Sequence, residues 1–206
     1  MQSNRGIVTH ALDVVLNVVI IVAVVASVRT FVVSPFQVDG NSMQNTLTHG
    51  EYIVIDKFSY IIGNPSRGDV VVFRPPNDPK KYYVKRVIGL PGDEVVIQDG
   101  YVFLKETGSE EVKKLDESGY LSARNLGHTY RHPPSDRDES PATYTVPEGK
   151  YFVLGDNRLG SLDSRSFFAE DGKKAIPYVE DNSIKGKVWF VALPITKIHA
   201  LEAPTY

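Results

Sequence analysis

Between Ala11 and Val33 the chain reads ALDVVLNVVIIVAVVASVRTFVV, and this run limits what it can fold into more than any other feature. As a helix it spans about 35 Å, enough to cross a hydrocarbon core of roughly 30 Å. Asp13, Asn17 and Arg29 are costly in lipid, but Asp13 and Arg29 sit near the ends, where charges reach the interface. The competing reading is a cleavable secretory signal, with Arg5 and His10 before the apolar core and Ala26 and Ser27 after it. The run is long for a signal core of roughly 7 to 15 residues, so the expectation is an anchor. Residues 1–10 are then a short tail, 11–33 a transmembrane helix and 34–206 one folded domain. Cations on the two sides, Arg5 and Arg29, decide the orientation only weakly.

Past the apolar run the pattern changes. GEYIVIDKFSY, RGDVVVFRPP, KYYVKRVIGL and DEVVIQDGYVFL are short runs rich in Val, Ile, Tyr and Phe, separated by Gly, Pro, Asn and Asp, as strands and turns are. Asp99 and Gly100 between two apolar runs form a hairpin signal. From about 105 to 143 the sequence is polar, charged and proline-bearing, which predicts a surface insertion or flexible subdomain. Strand patterns return in TVPEGKYFVLGDN and SIKGKVWFVALPI, so the insertion interrupts one core and the fold class is mainly β.

Composition excludes several chemistries. There are no cysteines, hence no disulfide, thiolate metal site or cysteine nucleophile. A net charge of -2 without a long basic face argues against a nucleic-acid partner. His128 and His132 lie four apart in HTYRH, but prolines follow and the glutamate of a zinc-protease helix is missing, so no metal or other cofactor is expected.

Three short stretches carry candidate chemistry. In YYVKRVIGLPG, alternation puts Tyr83, Lys85 and Val87 on one face and Val84, Arg86 and Ile88 on the other, so both cations have apolar neighbours. Either they lift their charged ends into solvent or one of them is held out of water. In DGNSMQNTL, Ser42 follows Gly40 and Asn41, residues that allow close backbone approach, although such serines ordinarily just make turns. GDNRLGSLDSR reads by itself as a loop cross-linked by Asp156, Arg158, Asp163 and Arg165.

Taken in order behind an apolar span, SMQNTL, YVKRVIGLPGD and GDNRLGSLDSR closely resemble the bacterial type I signal peptidases, and the likeness covers nearly the whole chain. The resemblance implies a signal-peptidase-like catalytic β-fold on one N-terminal transmembrane helix, with the catalytic domain on the extracytoplasmic side of the plasma membrane. It implies a serine endopeptidase acting on exported preproteins. Ser42 would be the nucleophile, Lys85 the general base and Ser161 the hydroxyl that orients the lysine. Asp156, Asp163 and Arg165 would brace the third loop. Phe36, Val38, Leu47, Ile53, Tyr83 and Val84 would line pockets admitting small residues at positions -1 and -3 of the substrate. Two departures stand out. Asn45 occupies a position that is commonly proline in the family, and Gly40 one where some members carry a serine whose hydroxyl helps bind the oxyanion. Stabilisation would then rest on backbone N–H groups, at Ser42 and Gly40.

The base imposes a physical requirement. A lysine of ordinary pKa is neutral in only about one molecule in 2,500 at pH 7, whereas burial shifts lysines down by up to about 3 to 5 units. Arg86 cannot substitute, because guanidinium stays protonated. An extended substrate could add to a strand edge, and a site just past the anchor lies near the bilayer, into whose interface FVVSPF would dip. Two other readings fit parts of the pattern. One is a self-cleaving Ser/Lys regulator, which normally carries a DNA-binding domain in place of the apolar span. The other is a membrane-tethered β-module that binds extended peptides without cutting them.

Overall fold

The apolar run forms helix α1 (Ser3–Phe31) in a computed structural model that describes residues 3–131, 140–166, 176–204 and 206. His132 lies outside the described residues. The stretch Thr9–Ser27 is long and apolar enough to cross a membrane, and nothing among the described residues covers it. Inside it the Ser27 hydroxyl returns to the carbonyl of Ala23 at 2.8 Å, the arrangement that satisfies a hydroxyl where water is absent. The helix stops short of Val33, because Val33 already pairs with Asp56 as the first residue of β1 (Val33–Gln37), a strand containing Pro35. At that end the carbonyl of Arg29 accepts Lys57 Nζ at 3.0 Å and Ser34 Oγ at 3.2 Å, a cation and a hydroxyl placed where a helix leaves carbonyls unpaired.

The remaining strands are β2 (Tyr52–Asp56), β3 (Val70–Phe73), β4 (Tyr83–Gly89), β5 (Glu94–Gln98), β6 (Tyr101–Lys105), β7 (Val112–Lys114), β8 (Ala142–Thr145), β9 (Lys150–Leu154), β10 (Val179–Glu180), β11 (Ile184–Leu193) and β12 (His199–Ala200). Among the described residues they form two antiparallel sheets. The larger runs β1-β2-β11-β3-β4-β9-β10, with β12 beside β11; the smaller runs β7-β6-β5-β8. Register shifts along β11 and at Val87/Gly89 of β4 are the bulges that let the larger sheet curl. KFSY, read as part of a strand, turns instead into a short helix, α2 (Ser59–Ile62), because Asp56 accepts the Ser59 N–H and hydroxyl.

Strand β4 lies between two apolar layers. Ile88 packs with Val95, Ile97, Phe152 and Leu154 toward the smaller sheet, and Val87 packs with Val71, Phe73 and Val153 on the opposite side. Both faces are therefore dry, and the two cations of this strand keep only 3% (Lys85) and 2% (Arg86) of their surface exposed. Neither lifts its charge into water.

The hairpin signal is realised directly. Asp99 (φ 51°) and Gly100 (φ 80°) both take left-handed backbone, the two-residue turn that matches strand twist, and Gln98 pairs with Tyr101 across it. Of the segment 105–143, residues 105–131 and 140–143 are described. It supplies β7, and its following turns bury Leu115, Glu117, Leu121, Asn125 and Thr129. Thr129 N–H bonds the Gly100 carbonyl at 2.9 Å, so this part packs onto the hairpin as an integral layer. Among its described polar residues Glu117, Asn125 and Thr129 are buried, while most of residues 106–114 face solvent.

Candidate active site

Ser42 opens a tight turn whose apolar members anchor it. Met43 and Leu47, 1% and 0% exposed, plug into the core with Ile53, Ile55, Val70 and Val191. Leu47 N–H bonds the Met43 carbonyl at 2.8 Å and closes the turn. Leu47 is thus a core residue and is not among the residues that line the cleft beside Ser42. Asn45 sits at φ 87°, a backbone that asparagine tolerates and proline cannot adopt, which accounts for the departure at this position. The turn is held all the same, because Thr46 donates its hydroxyl to Asp156.

Lys85 projects from the central strand onto this turn. Its Nζ lies 2.7 Å from Ser42 Oγ and 2.8 Å from the Val84 carbonyl. Burial lowers the lysine pKa to about 8; the carboxylates of Asp163 and Asp156 oppose the shift and the Arg165 guanidinium adds to it. At pH 7 roughly one molecule in ten then carries the amine uncharged.

The third motif wraps this pair from behind. Asn157 N–H donates to the Ser42 carbonyl and Asn157 Nδ2 to the Asn41 carbonyl, each at 3.0 Å. Asp163 receives both Arg165 Nε (2.9 Å) and Nη2 (2.8 Å) as well as the Gly155 N–H (3.0 Å). Burial works to raise the Asp163 pKa, but Arg165 and the Gly155 N–H outweigh it and hold the carboxyl below its ordinary value. Asp156 braces differently from expectation. It spans to β4 and grips Arg86 through Nε (3.0 Å) and Nη2 (2.7 Å), so the second cation of the strand is there to be paired with it.

Two expected contacts are not made. Ser161 Oγ is buried without a hydrogen bond of acceptable geometry; it lies close enough to Asp163 to favour the carboxylate, and it does not bond Lys85. The N–H of Gly40, expected to face an oxyanion, donates to His49 Nδ1 at 3.1 Å, while the Ser42 N–H is engaged by no described hydrogen bond.

An open cleft of about 580 Å³ holds Lys85 and Ser42 in its wall. Phe36, Val38, Ile53, Tyr83 and Val84 line it, together with Gly40, Gly160 and Leu162. In its wall Phe36 meets Tyr82 edge to face, with ring centroids 5.2 Å apart. Among the described residues no cluster of His, Asp and Glu is arranged to hold a metal ion.

The family model described as signal peptidase, peptidase S26, matches residues 11–193. The chain belongs to this family. Signal peptidase I of Pseudomonas fluorescens is 38% identical over 191 residues, covering 82% of this chain and 67% of its own. Signal peptidase I of Pseudomonas aeruginosa is 37% identical over 192 residues with the same coverage, and that of Rickettsia prowazekii 36% over 182 residues, covering 70% of this chain and 69% of its own. A crystal structure of a signal peptidase I from Enterococcus faecalis superposes with a TM-score of 0.40 at 28% identity, covering 62% of this chain and 98% of that one, too loosely to add to the sequence match. The type I signal peptidase assignment read from the three motifs therefore stands: the protein is a signal peptidase enzyme that cleaves signal peptides from preproteins, and the non-catalytic binding module is not favoured. Its N-terminal apolar helix is consistent with a membrane anchor.

Sequence reading missed the partners that make this signal peptidase site rigid. Arg86 and Asn157 stood inside the quoted motifs, and the signal for Arg86 was available, since an arginine on a dry strand face needs a carboxylate. Arg158 does not bond the acids of its own loop; it pairs with Glu117, for which no local signal existed.

Proposed function

We propose that this signal peptidase works through a Ser42/Lys85 dyad on a membrane-anchored, single-pass chain whose catalytic domain faces the extracytoplasmic side. The observation that carries the reading is the 2.7 Å contact between a buried amine and a half-exposed hydroxyl in the wall of an open cleft. With Lys85 uncharged, its lone pair takes the proton of Ser42 Oγ as the oxygen attacks the scissile carbonyl carbon. The Val84 carbonyl, accepting one amine hydrogen, keeps the lone pair directed at Ser42. The tetrahedral oxyanion is stabilised by the Ser42 N–H. Lys85 then delivers its proton to the leaving amine of the mature protein and leaves an ester on Ser42. Water attacks the ester with Lys85 again as base, and the signal peptide departs with a new carboxylate.

Ser161 is the proposed orienting hydroxyl. Its unpartnered Oγ lies beside Gly155, close to Ser42, and a buried hydroxyl gains by finding a partner when substrate shifts the amine. An extended substrate is proposed to lie along β1, a strand at the edge of the sheet, with side chains at -1 and -3 directed at Phe36, Val38, Ile53, Tyr83 and Val84. These bulky linings support a preference for small residues.

The test is incubation of the full chain, reconstituted in phospholipid, with an exported preprotein. Release of the mature fragment by wild type, abolished by Ser42→Ala and by Lys85→Ala, is the expected result. Undiminished cleavage by either variant would refute the dyad.

A further inference from the structure

We infer that Glu117, which belongs to none of the three motifs, is a positioning residue for signal-peptide cleavage: it clamps the loop that holds the Ser42 backbone. This rests on the Ser42/Lys85 reading. Glu117 and Arg158 have side chains 2% and 0% exposed and meet twice, Nη1 to Oε2 at 3.1 Å and Nη2 to Oε1 at 2.6 Å. The same guanidinium bonds Thr129 Oγ1 at 2.8 Å and, through Nε, the Gly155 carbonyl at 3.1 Å. Asn125 adds a parallel tie by accepting the Leu159 N–H at 3.3 Å. Residues 117–129 therefore grip residues 155–159 at three points.

Those residues are one bond from the nucleophile. Asn157, adjacent to Arg158, holds the carbonyls of Ser42 and Asn41. A second route leads to the same place: Tyr120 donates to Glu117 Oε1 at 2.8 Å, and its ring lies 4.1 Å from the Arg86 guanidinium that grips Asp156. The Glu117 carboxylate thus holds the Arg158 guanidinium directly and reaches the Arg86–Asp156 pair through the Tyr120 ring. Without it the Arg158 guanidinium would be buried and unpaired, and it would have to move, taking Asn157 with it.

The experiment compares wild type, Glu117→Gln, Glu117→Asp and Ser42→Ala as full chains in phospholipid. It reads kcat and KM per folded enzyme on a preprotein, and amide exchange over residues 155–166. Glu117→Gln is expected to lower kcat about 10- to 100-fold, the scale of an ångström misplacement, with KM unchanged and loop exchange accelerated. Glu117→Asp should recover part of both. Ser42→Ala should abolish cleavage while keeping wild-type exchange. Cleavage surviving in Ser42→Ala would count against the dyad and leave the clamp to be judged by exchange alone. Wild-type kcat and wild-type loop exchange in Glu117→Gln would overturn the clamp, as would a change confined to melting temperature. Should Glu117→Gln not fold, Asn125→Ala makes the same comparison with the same expected signs.

Discussion

Lys85 Nζ touches Ser42 Oγ at 2.7 Å from a strand on which the lysine is all but shut off from solvent. Burial is the largest influence on its pKa, bringing it to about 8, and only the uncharged amine accepts a proton. The cleavage rate should therefore rise with pH, reach half its maximum near 8 and level off above. A rate-pH profile on a preprotein substrate checks this, and a rate that is flat from pH 6 to 9 would contradict it.

The same burial has a sign for stability. Between about pH 8 and 10.5 the unfolded chain holds the proton that the folded chain has lost, so the lysine's penalty is fully present below 8 and disappears above 10.5. Lys85→Met should be more stable than wild type at pH 6 by about 3 kcal/mol, at 1.36 kcal/mol per pKa unit, and the gain should fade at alkaline pH. Denaturant unfolding at the two pH values measures it.

Gly155 is the close-approach point between the third motif and Ser42. A methyl group there would stand 2.5 Å from the Ser42 carbonyl oxygen and would also collide with Ser161 Oγ. Because one obstacle is backbone, Gly155→Ala should push Ser42 out of line and lower kcat by about 100-fold. Steady-state kinetics on protein of confirmed fold is the check.

The Arg86–Asp156 pair is buried at both ends, with side chains 3% and 0% exposed. Asp156→Asn leaves a guanidinium without its counter-charge and weakens the tie to Thr46, so the expected loss of stability is about 3 to 5 kcal/mol. Replacing both members by apolar residues of similar size should cost less than either single change. A double-mutant cycle by chemical denaturation reads both results.

What could be read from sequence was mostly local. The Asp99–Gly100 turn follows from backbone preference, and the long N-terminal helix from the length of an apolar run. Lys85 stood out because a cation on an apolar face demands an explanation. Leu47 and Val38 looked alike as apolar residues near Ser42; both join the same core cluster, and only tertiary packing brings Val38 to the cleft wall as well. The Gly40 N–H was expected to be free, and it was His49, nine residues on, that claimed it. Glu117 was invisible for a plainer reason. Its partner lies 41 residues away, and no pattern in a polar stretch distinguishes the one carboxylate that turns inward.

The most direct test is to follow the protonation of the Lys85 amine itself, by NMR of labelled lysine in the full chain with Lys85→Met to assign the signal, alongside the rate of preprotein cleavage. The amine should lose its proton near pH 8, in step with the rise in rate. An ammonium that persists above pH 10 while cleavage runs at its full rate would contradict the account.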